Sequence, residues 1–453
     1  MTVLGTQIDT LRRLEPKQIV GTIASVRGLS IQVDDLPLPT GSLVRLESRG
    51  TSGMGETHAS RGEVIGFNGP QSIVMLLDAP HGIAPGMRVF GEQSAQTVQV
   101  SCSLLGRIIN GLGHPIDGKD RPMDSVARPL IPPLTSALQR RHICEPLLTG
   151  IRAIDGMLTL GKGQRVGIFS GPGVGKSTLL SVIARNTSAD VNVIALVGER
   201  GREVREFIEN ALGEDGLARS VLVVATSDES PLMRVRAAMV ACTVAEHFRD
   251  LGKDVLLIMD SITRFAQAQR QIGLTVGEPP ATKGYTPSVF SQLPVLLERA
   301  GAVEGAGSIT GLYSVLVEGD DLTEPISDAA RSTLDGHIIL SRKIAARGHY
   351  PAIHLLDSIS RVADDVCDEQ HIAARKELIK LIAAYEDAEE LINIGAYAKG
   401  SNPVCDVAIE LKSAIDGFLQ QPTVEKAEYP NTCRRLIELA ESSRQLFAQM
   451  KPA

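Results

Sequence analysis

Residues 170–180 read SGPGVGKSTLL, and this stretch decides what kind of domain the centre of the chain forms. It follows the apolar run RVGIFS and leads into the apolar, helix-compatible run TLLSVIAR. Glycines at 173 and 175 let consecutive backbone amides turn towards a phosphate group, because no Cβ stands in the way. The N-terminus of the following helix adds a positive dipole. The stretch therefore predicts a strand, a phosphate-binding loop and a helix.

The residue types within this loop predict their roles. Lys176 is placed to reach the β- and γ-phosphates of a nucleotide, and Ser177 offers a hydroxyl to Mg²⁺. Ser170 stands where the usual motif begins with glycine, but this outer position needs only a small residue at the end of a strand. The alternative, a chance glycine-rich turn, does not explain the lysine, the serine and the context together. We expect the nucleotide to be held by Gly171, Pro172, Gly173, Val174, Gly175, Lys176, Ser177 and Thr178.

Composition excludes several other classes of protein. Aromatic residues make up 3%, tryptophan is absent and the net charge is −7, which argues against a nucleic-acid partner. The six cysteines form no CxxC pair, which predicts neither a zinc site nor a disulfide framework and fits a reducing cytosol. Apolar runs stay well below the ~18 residues that span a bilayer. The sequence predicts a cytoplasmic protein whose partners are proteins and small anions.

Three patterns succeed one another along the 453 residues, which exceed what one hydrophobic core usually organises. Short β-rich runs from about residue 18 to 98 predict a small barrel or sandwich. Runs such as VNVIALV, VLVVATS and VLLIMD then alternate with helical stretches, as in a parallel sheet covered on both faces. From about Asp368 helical periodicity takes over, with Gly395 as a helix stop. We expect an α/β protein with an arm at 1–20, a β-barrel at 21–98, a nucleotide-binding domain at 99–367 and a helical domain at 368–453.

Two acidic residues are candidates for the remaining parts of a hydrolytic site. Asp260 closes the strand VLLIMD, where a carboxylate typically orders a magnesium-bound water. Its alternative role is to cap the following helix SITRF. Glu199 lies just past another buried strand, where it is able to orient or deprotonate a water that attacks the γ-phosphate. On spacing alone, we favour for Glu199 a solvated charged surface shared with the arginines and glutamates that follow it.

Long stretches make the chain resemble the hexameric ATPases related to rotary ATP synthase subunits, most closely the flagellar and type III protein-export ATPases. The stretches include LLGRIINGLGHPIDG, EPLLTGIRAIDG, GIFSGPGVGKSTLL, ALVGERGREVREF, VLLIMDSITRFAQAQR, GEPPATKGYTPSVFSQLPVLLERAG, VEGDDLTEPISDAARSTLDGHIILSR and YPAIHLLDSISR, and they cover most of residues 103–361. The resemblance implies an N-terminal β-barrel, a RecA-like P-loop NTPase core and a C-terminal helical domain. It also implies a homohexamer that binds ATP and Mg²⁺ between subunits.

The resemblance assigns roles to five further positions. Glu199 matches the catalytic base of the GER segment, where non-catalytic rotary subunits have glutamine, so the chain is expected to hydrolyse ATP. Arg361 matches the arginine finger that reaches the neighbouring subunit's nucleotide. Without the resemblance, we would predict that Arg361 forms an ordinary ion pair at the surface. Tyr350 matches the aromatic residue that packs on adenine. Without the resemblance, we would predict that Tyr350 is a core residue. Arg200 and Arg264 match charged positions around the phosphates, and we count Arg200 with the catalytic residues.

Three functions are compatible with these motifs. The first is an export ATPase that releases chaperones, unfolds secreted subunits and feeds a membrane gate, in a flagellar or an injectisome system; we favour the flagellar one. The second is a rotary synthase subunit, which carries an acidic turn where this chain has NIGAYAKGSNPVCDVAIE. The third is an RNA-translocating hexamer, for which the barrel lacks an aromatic and basic face.

The export branch implies a stator-type negative regulator bound at residues 1–20, a central-stalk protein, and a location peripheral to the inner membrane.

Overall fold

Six antiparallel strands close an N-terminal barrel. The computed structural model describes residues 19–47, 59–93, 96–133, 135–317, 319 and 321–450. The predicted arm at 1–20 therefore lies outside the described residues, apart from its last two positions. The barrel strands are β1 (Val20–Arg27), β2 (Ser30–Asp34), β3 (Leu43–Glu47), β4 (Ala59–Asn68), β5 (Gln71–Leu76) and β6 (Arg88–Gln93), in the order β1-β2-β5-β4-β3-β6. The sheet closes because β6 pairs with both β1 and β3, so the barrel, not the sandwich, is the correct prediction.

A largely parallel sheet forms the centre of the molecule. Its strands are β8 (Arg107–Asn110), β12 (Arg165–Ser170), β13 (Val191–Glu199), β14 (Ser220–Thr226), β15 (Asp254–Asp260), β17 (Ser308–Leu316), β18 (Gly336–Leu340) and β19 (Ile353–Ser360). Their order across the sheet is β19-β18-β12-β17-β15-β13-β14-β8, with β19 antiparallel to β18. Shorter strands are β7 (Thr97–Val100), which pairs with β9 (Val126–Pro129), β10 (Pro146–Leu147), which pairs with β11 (Leu160–Gly161), and β16 (Gly301–Ala302).

Helices cover both faces of this sheet, because its strands are apolar on both sides. In chain order they are α1 (Arg152–Met157), α2 (Lys176–Asn186), α3 (Gly201–Glu206), α4 (Gly213–Ala218), α5 (Pro231–Asp250), α6 (Ile262–Thr275), α7 (Pro287–Leu297), α8 (Pro325–Thr333), α9 (Arg342–Ala346) and α10 (Ala363–Val366). A π-helical turn, Phe207–Leu212, joins α3 to α4. The buried side chains form one large cluster on each face of the sheet and a third inside the barrel.

Three long helices complete the chain, as the helical pattern predicts. They are α11 (Glu369–Asn393), α12 (Pro403–Leu419) and α13 (Tyr429–Met450). Asp368 caps α11 by accepting a hydrogen bond from the amide of His371 at 2.8 Å, and Gly395 follows its end with a φ of 72°. Every helix in the described ranges is too short or too polar to cross a lipid bilayer. The α/β fold class, with its barrel and helical domain, is confirmed, while the exact domain boundaries stay a prediction.

Candidate active site

The phosphate-binding loop connects the end of β12 to the start of α2. Ser170 is the last residue of β12, and Lys176 is the first residue of α2. Gly173 and Gly175 have φ angles of 78° and 94°, a left-handed conformation that side chains other than glycine disfavour. The two glycines therefore let the chain reverse and present the helix N-terminus, as the sequence predicts.

The exposed part of this loop is the part that is able to meet a ligand. Pro172, Gly173, Ser177 and Thr178 are exposed, and nothing lies within 4 Å of a Cβ built on Gly173. The first three amides of an α-helix have no partner within it, so α2 offers N–H donors at the same place. Gly171 and Val174 are buried, so they lie on the side of the loop that faces the protein interior.

Lys176 and Asp260 meet although 84 positions separate them in the sequence. Lys176 Nζ lies 2.5 Å from Asp260 Oδ1, and their side chains are only 12% and 5% exposed. The hydroxyl of Ser314 donates a hydrogen bond to the same carboxylate oxygen at 2.6 Å. Strand β17, which carries Ser314, lies between β15, which ends at Asp260, and β12, which precedes the loop that leads to Lys176. The ammonium group of Lys176 therefore compensates the buried negative charge of Asp260.

The alternative role of Asp260 as a helix cap is wrong. Ser261, not Asp260, is the N-cap of α6, and its side chain accepts a hydrogen bond from the amide of Arg264 at 3.3 Å. Asp260 is left to interact with Lys176 and Ser314.

Glu199 is placed by a bulge in strand β13. The pairing of β13 with β14 shifts between Val197 and Glu199, and the intervening Gly198 has a φ of 73°. A Cβ on Gly198 would lie 2.8 Å from the Cβ of Arg264, so glycine is also needed for the approach of α6. A bulge of this kind re-aims the following side chain. Glu199 is thereby turned out of the strand at the carboxyl end of the sheet.

The surroundings of Glu199 favour its protonated form. Burial, the largest cause, and the negative charge of Asp260 together raise the pKa of Glu199 to about 7, while Lys176 opposes the shift. A hydrogen bond that protonated Glu199 donates to the Glu203 side chain acts in the same direction as Asp260. The pKa of this carboxyl thus lies in the range where a general base works at neutral pH.

The charged residues after Glu199 do form the solvated surface that the spacing predicts. Arg200 Nη1 lies 3.2 Å from Glu203 Oε1, and the Arg205 guanidinium lies 2.8 Å from Glu209. The Arg200 side chain is 76% exposed, so this guanidinium lies outside the buried cluster of Lys176 and Asp260. Glu199 is the member of this run that the structure separates from the surface.

Tyr350 borders an apolar cavity of about 370 Å³ on the other side of the loop. A Cβ on Gly175 would lie 3.6 Å from Tyr350 Cε1, and the tyrosine is 46% exposed, so it is not a core residue. Val182 of α2 and Leu340 of β18 line the same cavity. The opposite wall is 421–423, a segment between α12 and α13.

Arg361 lies at the opposite end of the sheet from the phosphate loop. Ser360, the last residue of β19, pairs with Gly336, which pairs with Val166. The phosphate loop begins four residues further along β12, at Ser170. At ~3.3 Å per residue this separates the two levels by about 13 Å along the strands. Arg361 is exposed at this far level and is held through its amide, which donates to the carbonyl of Asp335 at 3.0 Å.

Some residues of this site carry no sequence motif that predicts them. Ser314 is an ordinary strand serine until β17 is placed beside β15. Gln421 lies in the helical domain, yet its amide donates to the carbonyl of Tyr350 at 2.9 Å and its side chain donates to the carbonyl of Gly150 at 2.8 Å. Gly198 was within the quoted GER stretch, and a glycine directly before a strand-end acid is a usable signal for a bulge.

Two family models match the chain. The one described as ATP synthase alpha/beta family, nucleotide-binding domain, matches residues 150–360. The one described as T3SS EscN ATPase C-terminal domain matches residues 367–438. Together they span the sheet apart from its edge strand β8, the phosphate loop and most of the three C-terminal helices.

Two solved structures share the fold over 93% of this chain. The assembled ATPase EscN from the type III secretion system of enteropathogenic E. coli has a TM-score of 0.86 and 42% identity, covering 93% of this chain and 100% of that chain. The structure of EscN in complex with its central stalk EscO has a TM-score of 0.84 and 41% identity, with the same coverage.

Curated relatives are similar over the same span. The flagellum-specific ATP synthase of Salmonella typhimurium is 48% identical over 424 residues, which cover 92% of each chain. The type 3 secretion system ATPase of Xanthomonas euvesicatoria is 46% identical over 426 residues, which cover 94% of this chain and 93% of the relative. The chain therefore belongs to the family of flagellum-specific ATP synthases and type 3 secretion system ATPases.

Proposed function

We propose that this chain is the ATPase of a flagellar protein-export apparatus, and that hydrolysis drives chaperone release, unfolding and export of flagellar proteins. The observation that carries the catalytic part is the half-buried Glu199, which lies in the electrostatic field of Asp260 and Lys176. The membership of the chain in a family of ATP-hydrolysing enzymes supports the same conclusion.

The residues of the site fit ATP together with Mg²⁺. The described residues contain no group of three or more His, Cys, Asp or Glu side chains that would hold a metal by themselves. Mg²⁺ usually binds through one or two carboxylates together with substrate phosphates, which is the arrangement that Asp260 and the exposed Ser177 offer. The ion would neutralise developing charge on the phosphates. Lys176, which now compensates Asp260, would be free to pair with the phosphates once a divalent cation takes over that task.

Each remaining residue has a part in binding or turnover. The loop Gly171–Thr178 holds the phosphates through its backbone amides, of which Pro172 contributes none, and Tyr350 packs on the base in the apolar cavity. Glu199 accepts the proton of the attacking water, which its pKa of about 7 allows near neutral pH. Arg200, exposed at the start of α3, is available to phosphates or to a neighbouring subunit only after it leaves Glu203.

A homohexameric ring supplies the missing cation. Arg361 lies too far along the strands to complete the site of its own chain, so we assign it to the nucleotide of the next subunit. Arginine fingers of this kind contribute ~10³ to 10⁵ in rate. The assembled state named for the EscN structure supports a ring, and the complex with EscO supports a central-stalk partner.

Further partners follow from the export function. We propose export chaperones and secreted subunits, a stator-type negative regulator and an export gate at the membrane. The protein would then be cytoplasmic and peripheral to the inner membrane. Nucleic acid is not among the proposed partners, since the chain has a net charge of −7 and few aromatic residues.

The injectisome remains the second candidate. The 46% identity to a type 3 secretion system ATPase and the match of the C-terminal helices to the EscN model favour it. The flagellum-specific relatives are 44–48% identical over nearly the whole chain, so identity alone does not separate the two systems.

The deciding experiment is genetic complementation in Salmonella typhimurium. We expect the chain to restore swimming in a strain that lacks its flagellum-specific ATP synthase, and the Glu199→Gln variant to restore none. Restored secretion in an injectisome mutant, with no swimming, would replace the flagellar function by the second candidate. Purified protein that hydrolyses no ATP at any concentration would overturn both.

A further inference from the structure

A second cleft lies between the barrel and the edge of the central sheet. It has a volume of about 460 Å³ and is remote from the phosphate loop, because its walls come from the barrel, the loop after β8 and helix α5. Arginines from all three of these elements line it: Arg61 on β4, Arg121 in the loop and Arg236 on α5. We call this space the barrel cleft.

Arg236 is an unusual residue to find in such a place. Its side chain is only 4% exposed, and its Nη1 lies 2.8 Å from Glu63 Oε2 in the barrel. Its Nε is buried without a hydrogen-bond partner among the described residues. Buried donors are nearly always satisfied in folded proteins, so an unsatisfied one in the wall of a cavity points to an acceptor that binds there.

The barrel cleft has an excess of positive charge. The pKa of His114, which also lines it, is lowered to about 4, first by burial and then by the positive charges of Arg121, Arg61 and Arg236. Glu92 is the carboxylate in the wall, and it is shared at 3.6 Å by Arg61 and by Arg45 outside the cleft. Arg236 pairs with Glu63, and Arg61 shares Glu92 with Arg45, so three arginines meet two carboxylates and positive charge is left over.

We propose that the barrel cleft binds an oxyanion of the phosphate class, with Arg61, Arg121 and Arg236 as its ligands. The planar fork of a guanidinium matches phosphate oxygens, and such charge-assisted hydrogen bonds are the strong ones. No Phe, Tyr or Trp side chain lines the cleft within the described residues, so the phosphate and not a base is the recognised group. The volume holds a diphosphate or a small phosphate ester. A bound anion would join the barrel to α5.

A binding measurement tests this site when phosphate binding at the phosphate loop is removed by the Lys176→Ala substitution. We would titrate full-length Lys176→Ala protein with pyrophosphate, and separately with inorganic phosphate, by isothermal titration calorimetry. We expect one pyrophosphate site per chain. Adding Arg121→Gln, which changes an exposed residue, is expected to raise the Kd about tenfold, the typical effect of losing one charge-assisted hydrogen bond. Arg61→Gln should act in the same direction.

The matched control is Arg88→Gln, since Arg88 is an exposed arginine on the barrel outside the cleft. It should leave the Kd unchanged, and Arg121→Lys should recover part of the affinity. With Lys176 intact, Arg121→Gln should leave ATP hydrolysis unchanged, which separates this proposal from the proposed function. Absence of binding by both anions in the Lys176→Ala protein, or equal Kd values for Arg121→Gln and Arg88→Gln, would overturn it.

Discussion

Glu199 shows how a single residue acquires its function from its surroundings. Burial and the charge of Asp260 raise its pKa from 4.5 to about 7. Between these two values the folded protein binds more protons at this site than the unfolded chain does. The contribution of Glu199 to the free energy of unfolding is therefore fully present below pH 4.5 and is lost as the pH rises through 7. This loss of stability at neutral pH accompanies the role of general base that we propose for Glu199.

Replacing Glu199 by glutamine should separate binding from turnover. We expect Glu199→Gln to retain ATP affinity and to lose turnover, because the amide keeps the shape of the side chain and removes the base. The nucleotide-free variant should also melt at a higher temperature than the wild type at pH 8, since its neutral side chain avoids the buried charge. In the wild type, kcat/KM should rise with pH through about 7. Steady-state assays and thermal melts measure these effects.

Glu206→Gln is the control, since Glu206 is an exposed acid on the same segment. It should leave turnover and melting temperature unchanged. Near-normal turnover in Glu199→Gln would show that another acid is the base.

At the level of secondary-structure elements, the ends of β12, β13 and β15 determine the site. Each strand ends in a feature of the site. The loop glycines follow β12, the bulge at Gly198 precedes the end of β13, and Asp260 is the last residue of β15. Parallel strands bring their carboxyl ends to one edge, so functional side chains collect there.

Gly198→Ala tests the bulge. A left-handed residue with a Cβ, placed 2.8 Å from the Cβ of Arg264, is expected to cost about 1–3 kcal/mol of unfolding free energy. Turnover should fall more than stability predicts, because Glu199 is misdirected. Urea unfolding and ATPase assays give the two numbers. Gly201→Ala is the control, since a Cβ there meets nothing within 4 Å; equal effects of both variants would argue against a role for the bulge.

The loop between α9 and β19 carries Tyr350 to the edge of the apolar cavity. We expect Tyr350→Ala to weaken ATP binding about tenfold, a loss typical of ring stacking on a base, with a smaller effect on kcat. Tyr350→Phe should bind normally, because the ring and not the hydroxyl makes the contact. Titration with a fluorescent ATP analogue measures both. An unchanged Kd in Tyr350→Ala would place adenine elsewhere.

At the scale of the whole molecule, the chain holds a phosphate loop and a finger that do not meet. Arg361 and Ser170 lie at opposite ends of the sheet, on either side of β18, as the pairing of β19, β18 and β12 requires. Under the proposed function a single copy is incomplete as a catalyst, and a ring of identical copies would place Arg361 of one subunit next to the nucleotide of the next. This is the physical basis for expecting activity to depend on assembly.

Mixing two inactive variants tests this dependence. Arg361→Ala should lower the turnover of the assembled protein by about 10³ or more, with little change in ATP affinity. When it is mixed with Glu199→Gln subunits, some interfaces combine an intact base with an intact finger, and hydrolysis should return. Mixed and unmixed proteins are compared in an ATPase assay at equal total concentration. If mixing restores nothing although the rings exchange subunits, the finger does not act between chains.

What the sequence determined by itself was local. The order of barrel, α/β core and helical domain, the phosphate loop and the stop at Gly395 depend on periodicity and on glycine conformations among neighbouring residues. The strands β12, β13, β14 and β15 were predicted because they are continuous apolar runs. SITGLYSVL, the sequence of β17, was not, since glycine and serine interrupt its apolar pattern.

The tertiary structure decided which distant residues share a site. Strand order put Ser314 between the loop and Asp260, and the return of the chain after α12 put Gln421 beside Tyr350. Burial, not spacing, separated Glu199 from the charged surface to which its sequence neighbours belong. Such contacts depend on register and packing between segments far apart in the chain, and a local pattern of residues contains no information about either.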